Sequence, residues 1–300
     1  MTRDGSVLVV GSVNRDVVVR AARFPAPGET VAGGPVRFGL GGKGANQAVA
    51  SARAGVKTKL LATVGTDEHG RELRRMLAEA GVDTGLVTEA VGYRTGLALI
   101  TVDDAGENQI VVVNGANEAT TARRVRDAES ALTQASVIVA QGEIPLAAIE
   151  ALVESAPATV VLNHAPFVEL PASVLRRVDV LVVNETEAAQ LLGGPAPDEL
   201  HAVRALADLS RCAVITLGDR GAVFAGKDDV GRVPVLWPVR VVDTTGAGDA
   251  FVGVLAAELA AGSALAVAVA SAVAAASRTV EVAGAAESYP DFVRQRARWR

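Results

Sequence analysis

The sequence predicts a three-layer αβα fold of the α/β class, with helices on both faces of a mainly parallel sheet and a small antiparallel sheet attached. Short β-branched runs alternate with helical segments along most of the chain, which is typical of parallel α/β domains. Two extended stretches interrupt that alternation and predict the second sheet. With 300 residues, half of them hydrophobic and 21% charged, the chain is long enough to bury a full core.

The strand candidates are short runs rich in valine, isoleucine and leucine, and several are continuously apolar, as in strands covered on both faces. They are Val7–Val10, Lys59–Val64, Val137–Ala140, Thr159–Leu162, Val178–Val183, Ala213–Leu217 and Arg240–Val242. Helical patterns lie between them. The helix candidates are Ala45–Ala54, Gly70–Ala80, Ala122–Gln134, Leu146–Ser155, Glu185–Leu192 and Asp198–Leu209.

The two interrupting stretches lie near residues 15–38 and 95–113. The first combines Val17–Arg20 with Val31–Phe38, and prolines and a glycine separate the two runs. In the second, Thr95–Val102 and Asn108–Val113 flank a polar turn and form a predicted β-hairpin. Together they predict a lid that closes over a substrate or pairs with a second subunit. We find no internal repeat or composition break in the sequence, so residues 1–300 are expected to form one domain.

Composition excludes several classes of function. A net charge of −5 and a pI near 5.4 give no basic surface for nucleic acid or an anionic membrane. A single cysteine, Cys212, forms no internal disulfide, so we expect a reducing compartment such as the cytoplasm. Val7–Val10 is too short for a signal peptide. The uncharged stretch Leu259–Ala276 is mostly alanine and is broken by Gly262–Ser263, so two packed helices are expected there rather than a membrane span.

The segment Val241–Phe251 predicts an anion site, since a strand ends, two glycines form a turn and a helix begins. The first N–H groups of such a helix point outward, and small residues at Gly246, Ala247 and Gly248 let an anion approach them. A phosphoryl group in transfer fits such a site. Asp249 follows directly, either as the base that deprotonates an attacking hydroxyl or as an acid that stabilises the helix N-terminus. On this turn alone the second interpretation is favoured.

Polar residues near the N-terminus predict a sugar site. Asn14 and Asp16 are two residues apart, so in an extended strand they project from one face and can bond neighbouring hydroxyl groups. A pair of turn residues that closes the first strand is an equally good interpretation. Glu143 follows another predicted strand, at the end where open α/β sheets bind ligands.

A glycine-rich segment, Gly39–Gln47, runs into the first predicted helix. Gly39, Gly41 and Gly44 match the dinucleotide pattern G-x-G-x-x-G, but no acidic residue lies between Glu29 and Asp67 to bind a ribose. An oxidoreductase is therefore disfavoured. Glycine rather than serine or threonine follows Lys43, which excludes a P-loop. The loop instead offers an ammonium and an amide for polar ligand contacts.

Four motifs carry a resemblance over essentially the whole chain. They are Gly41–Ala48 (GGKGANQA), Asn184–Glu187 (NETE), Thr216–Gly221 (TLGDRG) and Asp243–Asp249 (DTTGAGD). Their sequence and order resemble the ribokinase family of carbohydrate kinases, the PfkB-type kinases. The resemblance implies a ribokinase-like fold with a β lid, a homodimer formed through that lid, and phosphoryl transfer from ATP to a sugar.

The resemblance also implies site residues. Sugar contacts are implied for Asn14, Asp16, Gly42, Lys43, Asn46, Glu143 and Asp249. Asp249 is implied as the catalytic base, beside an anion hole formed by Gly246, Ala247 and Gly248. Nucleotide-site residues are implied at Asn184, Glu187, Thr216, Gly218, Arg220, Gly221 and Gly248, with Asn184 and Glu187 organising Mg²⁺. A monovalent cation, normally K⁺, is implied at Asp243, Thr245, Thr279, Val282, Gly284 and Ser288.

Ribose is the favoured substrate because the positions that match the family's sugar contacts match together, which implies phosphorylation of its 5-hydroxyl to ribose 5-phosphate. A related sugar or nucleoside kinase is the alternative within the enzyme class, although few aromatic residues are present to form a wall for a base. A sugar sensor without turnover is disfavoured by the intact Asp249. One departure from the family is Val273, which replaces a polar residue near the adenine and predicts weaker nucleotide selectivity.

Overall fold

The computed structural model describes residues 5–227, 229–286 and 289–293. The strands, in chain order, are β1 (Ser6–Val10), β2 (Asn14–Arg20), β3 (Arg37–Gly41), β4 (Lys57–Gly65), β5 (Val87–Ala90), β6 (Gly96–Val102), β7 (Asn108–Val113), β8 (Val137–Gln141), β9 (Thr159–Asn163), β10 (Val180–Asn184), β11 (Ala213–Thr216), β12 (Ala222–Ala225) and β13 (Val230–Val233). The α-helices are α1 (Lys43–Arg53), α2 (Glu68–Glu79), α3 (Ala122–Asp127), α4 (Glu129–Gln134), α5 (Leu146–Ser155), α6 (Ala172–Leu175), α7 (Glu185–Leu192), α8 (Glu199–Leu209), α9 (Ala247–Ala260) and α10 (Leu265–Thr279).

The large sheet has the order β13-β12-β11-β10-β9-β8-β1-β4-β5. Every pairing from β11 to β5 is parallel, and β12 and β13 add an antiparallel edge. Helices cover both faces, as the alternation along β1 illustrates. Val7 and Val9 pack with residues of α1, α2, α9 and α10, whereas Leu8 and Val10 pack with residues of α3, α5 and α8. The predicted three-layer α/β fold with a mainly parallel sheet is confirmed.

The small sheet has the order β3-β2-β6-β7 and contains the two stretches that interrupt the sequence pattern. Its outer pairings, β2–β3 and β6–β7, are antiparallel, and its central pairing, β2–β6, is parallel. Apolar side chains remain exposed on this sheet, including Phe38 at 60% and Val111 at 61%. These side chains give the sheet an uncovered apolar surface.

The structure corrects several predicted boundaries. The expected strand Arg240–Val242 is wrong: Val241 and Val242 are more than half exposed, and the Val242 N–H donates to the Val280 carbonyl instead of a neighbouring strand. The predicted helix over 122–134 is divided at Ala128 into α3 and α4. The second extended run of the lid becomes a strand only from Arg37.

The alanine-rich stretch forms the end of α9 and most of α10, separated at Gly262 in the left-handed region with a φ of 83°. Among the described residues, no helix is long and apolar enough to cross a membrane.

Candidate active site

Polar side chains gather where the parallel strands end and where α1 and α9 begin. Gln141 and Asn163 are the last residues of β8 and β9 and are direct partners in the sheet register. The carboxyl ends of adjacent parallel strands are where ligands bind in open α/β sheets. The N-termini of α1 and α9 bring the glycine-rich loops of the sequence to this same edge.

Asp249 lies in the first turn of α9 and is only 7% exposed. Two consecutive amides of α1 donate to its carboxylate: Asn46 Nδ2 to Oδ2 at 2.9 Å, and Gln47 Nε2 to Oδ1 at 2.9 Å. These two uncharged donors fix the position of both carboxylate oxygens. Asn46 is among the residues selected from the sequence, whereas Gln47 is not, although it belongs to the same GGKGANQA motif.

Lys43 and Glu143 meet beside Asp249. The backbone N–H of Lys43 donates to Glu143 Oε2 at 3.0 Å, and the hydroxyl of Ser12 donates to the same oxygen at 2.5 Å. The charge of Asp249 raises the pKa of the Lys43 ammonium, with further contributions from Glu143 and Glu187, while burial opposes them. Lys43 is therefore a firmly protonated cation among three carboxylates.

Asn14 and Asp16 occupy one face of β2, as their spacing predicts. Asn14 Oδ1 accepts a 2.7 Å bond from Asn117 Nδ2, which fixes the orientation of the buried Asn14 amide. Asp16 lies against Gly41, where a Cβ atom would stand 1.9 Å from Asp16 Oδ1. Any side chain at Gly41 would displace that carboxylate. Gly42, next in sequence, is the N-cap residue of α1.

A cavity of about 480 Å³ separates the small sheet from the segment before α9. Asp16 lines it from the sheet, and Asp243, Thr245 and Gly284 line it from the opposite side. The cavity thus connects a predicted sugar contact with three members of the predicted cation site.

A second cavity of about 800 Å³ opens on the other side of the same segment. Predicted nucleotide residues Thr216, Gly218, Gly221 and Gly248 line it together with Val273. Thr244 lines both cavities, so the loop before α9 forms the wall between them.

Arg220 does not line this second cavity. Its guanidinium, which is 45% exposed, pairs with Glu185 and Glu199. Those two acids attract the side chain to the outer surface of α7 and α8.

The N-terminus of α9 faces the second cavity through Ala247 and Gly248. Its N-cap residue Gly246 adopts a φ of 76°, and its carbonyl accepts a 2.7 Å bond from the Tyr289 hydroxyl. No side chain in the described part of the chain caps this terminus. A Cβ atom built on Gly248 meets nothing within 4 Å, so an anion has space to reach the first N–H groups.

Asn184 and Glu187 form a capping box at the start of α7. The Glu187 N–H donates to Asn184 Oδ1, and the Asn184 N–H donates to Glu187 Oε2, both at 2.8 Å. Burial raises the pKa of Glu187, and the bond from Asn184 and the charge of Lys43 offset this only in part. The N-x-x-E motif therefore stabilises the helix and also keeps a poorly compensated carboxylate near Lys43.

The predicted cation ligands that the structure describes lie on two adjoining segments, one before α9 and one at the end of α10. Asp243 accepts 2.9 Å bonds from the N–H groups of Thr245 and Gly284, one on each carboxylate oxygen. The Thr279 carbonyl accepts from the Val282 N–H, which closes the adjoining turn. Ser288 lies outside the described residues.

Asp243 supplies the acidic side chain among the predicted cation ligands. Burial raises the pKa of the Asp243 carboxyl, but hydrogen bonds from Thr245 and Gly284 and the charge of Arg20 outweigh it and hold the pKa below its ordinary value. An ionised carboxylate among backbone carbonyls is an oxygen-rich donor set, which suits a hard cation. The described residues hold no cluster of three or more histidine, cysteine or acidic side chains that could hold a metal ion.

Comparison with known proteins agrees with this arrangement. The family model described as pfkB family carbohydrate kinase matches residues 4–291. This chain belongs to the pfkB family of carbohydrate kinases. The match spans both glycine-rich motifs and confirms the family resemblance and the expectation of a phosphotransferase.

Individual relatives agree with the pfkB assignment. The chain is 35% identical over 292 residues to the ribokinase of Haemophilus influenzae, covering 95% of each protein. It is 39% identical over 296 residues to the bifunctional ribokinase/ribose-5-phosphate isomerase A of Fructilactobacillus sanfranciscensis, with 95% of this chain aligned to 54% of that protein. The chain thus spans about half the length of that relative. The structure of Arabidopsis thaliana ribokinase complexed with ribose and ATP superposes with a TM-score of 0.85 at 30% identity, over 95% of this chain and 96% of that one.

Proposed function

We propose that this protein transfers the γ-phosphoryl group of ATP to the 5-hydroxyl of D-ribose, giving ADP and ribose 5-phosphate. The observation that carries the proposal is the buried Asp249 carboxylate, held by two amides in the first turn of α9 next to an uncapped helix N-terminus. A base beside an anion site is the arrangement that phosphoryl transfer to a hydroxyl needs. Relatives named ribokinase, and a related structure with ribose and ATP, support ribose as the acceptor.

The sugar is bound between α1 and the strand ends. Asn46 donates its N–H to Asp249, and its Oδ1 is buried without a protein partner in the described structure, so it accepts from a sugar hydroxyl. Burying an acceptor without a partner is unfavourable, which supports a ligand group at this position. The remaining contacts come from Asn14, Asp16, Gly42, Lys43 and Glu143.

Asp249 takes the proton of the 5-hydroxyl as that oxygen attacks the γ-phosphorus. The N–H groups of Gly246 and Gly248 stabilise the charge on the phosphoryl oxygens in the transition state. The Ala247 N–H, which donates to the Thr244 carbonyl at 3.2 Å in this structure, joins them when it turns toward the phosphate. Lys43 remains protonated near Asp249 and adds positive charge on the sugar side. The nucleotide occupies the larger cavity, where Thr216, Gly218 and Gly221 approach it.

The acids at the phosphate end fit Mg²⁺ that is bound largely through water and nucleotide. When bound, Mg²⁺ neutralises phosphate charge, and it usually retains several waters. Glu187, whose pKa burial raises, offers a carboxylate that a nearby cation would stabilise, and Asn184 fixes its orientation.

K⁺ would be held between the segment before α9 and the segment at the end of α10, by Asp243, Thr245, Thr279, Val282, Gly284 and Ser288. The ionised Asp243 and the surrounding backbone carbonyls fit a monovalent cation. Such a cation would keep the loop before α9 in place and support the anion site.

The exposed apolar surface bears on assembly, and the unpaired cysteine bears on the compartment. The exposed apolar side chains of the small sheet support a homodimer formed through the lid. The cytoplasm is the compartment that suits one unpaired cysteine and a nucleotide substrate.

An ADP-release assay across ribose, deoxyribose, fructose and several nucleosides, each with K⁺ or Na⁺, tests the proposal. We expect the highest kcat/KM with ribose and a higher rate in K⁺. A higher kcat/KM with a nucleoside or another sugar would refute the ribose assignment. Equal rates in both salts would refute the cation site.

A further inference from the structure

Gln47 makes three hydrogen bonds in a fully buried position. Its Nε2 donates to Asp249 Oδ1 and to Asn163 Oδ1, both at 2.9 Å, and its Oε1 accepts from Gln141 Nε2 at 2.7 Å. Both N–H groups and the carbonyl oxygen of this amide are therefore engaged. The side chain connects the carboxylate of α9 to the ends of β8 and β9.

The partners allow one orientation of the Gln47 amide. An ionised Asp249 carboxylate only accepts hydrogen bonds. Asn163 presents its oxygen to Gln47 because its Nδ2 donates to the Val182 carbonyl at 3.3 Å. Rotating the Gln47 amide by half a turn would place its oxygen against two other oxygens. Gln141 and Asn163 are direct register partners, so the backbone of the sheet fixes their spacing.

A second contact holds α1 against α9 one turn further along both helices. Ser51, four residues after Gln47, donates to the carbonyl of Gly253, four residues after Asp249, at 2.7 Å. A Cβ atom at Gly253 would lie 2.5 Å from Ala50 Cβ, so the helices approach as closely as a glycine permits. The distance between Gln47 and Asp249 is thus set by helix packing as well as by their own bond.

We propose that Gln47 is a positioning residue that, held by Gln141 and Asn163, fixes the orientation of the Asp249 carboxylate. This role deepens the proposed function and depends on Asp249 being the base. Gln47 is fully buried and its amide bonds go to protein groups, so it acts through Asp249. Hydrogen bonds donated to a carboxylate favour its charged form.

Other charged or titratable groups also surround the carboxylate. Lys43 on α1 interacts with the charge of Asp249, and Glu143 after β8 and Glu187 on α7 act in turn on Lys43. His164 follows Asn163 directly in the chain. Burial lowers the pKa of His164, so it remains neutral and adds no charge at pH 7. Lys43 is unchanged in Gln47 variants, so a shift in the pH profile of those variants reports the Gln47 contact.

The test replaces Gln47 with leucine and with glutamate. Gln47→Leu removes the donor at similar size, and we expect kcat to fall roughly 10- to 100-fold from misorientation of the base. The KM for ATP should change less than twofold, and the acid limb of the pH–kcat profile should move to higher pH because the carboxylate loses a donor. Gln47→Glu should move that limb further, since two neighbouring carboxylates compete for ionisation.

Two further variants separate positioning from stability. Ser51→Ala removes the neighbouring buried bond between the same helices but keeps the close approach of Gly253 to Ala50. It should lower the free energy of unfolding while changing kcat and its acid limb less than Gln47→Leu does. Gln141→Leu leaves the buried Oε1 of Gln47 without its donor, which loosens the hold on that side chain, and should give a smaller shift of the acid limb in the same direction. An acid limb that stays unchanged in both Gln47→Glu and Gln141→Leu would overturn the proposal, even if Gln47→Leu failed to fold.

A titration without turnover keeps this test separate from the proposed function. Carbon-13 labelling of aspartate and comparison with Asp249→Asn identifies the Asp249 carboxyl signal in the ligand-free protein. We expect its midpoint to move to higher pH in Gln47→Glu and Gln141→Leu. A wild-type protein inactive on ribose would refute the ribose assignment, whereas an unchanged midpoint in these variants would refute the role of Gln47.

Discussion

Replacing Asp249 with asparagine separates the catalytic role of this carboxylate from its structural role. The carboxylate accepts from Asn46 Nδ2 and Gln47 Nε2, and an asparagine offers one oxygen and one N–H₂ in the same space. Because Gln47 Nε2 is also held by Asn163 Oδ1, residue 249 must keep an oxygen opposite this nitrogen. Asn46 is free to rotate its amide because its Oδ1 has no protein partner, and after rotation that oxygen accepts from the new N–H₂ group.

Asp249→Asn should therefore fold with an unfolding free energy within about 1 kcal/mol of wild type. Asp249→Ala leaves two buried donors without an acceptor and should be less stable by about 1–3 kcal/mol for each. Loss of a general base should lower the kcat of Asp249→Asn roughly 10²- to 10⁴-fold, or by about 2.7–5.5 kcal/mol in the activation barrier. Rotation of Asn46 also turns an N–H toward the sugar, so the sugar KM should rise.

Urea unfolding of both variants measures the stability difference, and an ADP-release assay at saturating ATP measures kcat. A kcat of Asp249→Asn within tenfold of wild type would refute the role of Asp249 as base. Equal stability of the asparagine and alanine variants would show that the two amide contacts do not support the fold.

Three other variants test neighbouring parts of the site. Gly248→Ala places a methyl group in the open space at the α9 N-terminus. The free energy of unfolding should stay within about 1 kcal/mol of wild type, while steady-state kcat/KM for ATP should fall roughly 100-fold. An unchanged kcat/KM would exclude close approach of phosphate at this position. Burial raises the pKa of Glu187, so its ionisation lowers the free energy of unfolding as pH rises above the ordinary value of 4.5. Glu187→Gln keeps an oxygen that accepts from the Asn184 N–H, and urea unfolding of this variant should give a free energy that depends less on pH between about 5 and 8. An unaltered dependence on pH would contradict this. The pKa of Asp243 lies below its ordinary value of 3.8, so the stabilisation by its carboxylate is present above that pH and lost below it. Asp243→Asn should lower the free energy of unfolding by about 1–3 kcal/mol at pH 7, and the difference from wild type should narrow in acid. The variant should also lose the K⁺ effect on rate, and retained K⁺ activation would place the cation elsewhere.

Local patterns were sufficient to predict much of this fold. The α7 boundaries, Glu185–Leu192, match the structure because a capping box starts the helix and a left-handed glycine, Gly193, ends it. The run Val7–Val10 is continuously apolar because alternate residues enter opposite cores. Val241 and Val242 have the same composition but lie exposed on a loop, since the edge of the sheet is formed by β12 and β13. Composition alone does not distinguish these two outcomes.

The site residues also differ in whether a sequence motif reveals them or only the fold brings them together. Asn46 and Asp249 belong to motifs that a single sequence displays, although the 2.9 Å bond between them joins residues 203 positions apart. Gln141 and Asn163 carry no motif, and their importance arises from the register of β8 on β9. A strand register is a tertiary property, set by packing of both sheet faces. The signal that was available for Gln47 was its place in GGKGANQA, one residue after Asn46.

The arrangement explains why the base is buried at a helix N-terminus that also has to receive an anion. Two negative groups at this point would repel each other, and a lysine bonded directly to Asp249 would offset its charge but also compete with the sugar proton. The structure instead gives Asp249 two neutral donors from α1 and keeps Lys43 near without a direct hydrogen bond among the described contacts. Neutral donors orient the carboxylate and add no positive charge that would compete with the proton it accepts. On this reasoning the sheet-anchored amides are part of the catalytic design, and the Gln47 and Gln141 variants measure how much of the rate depends on them.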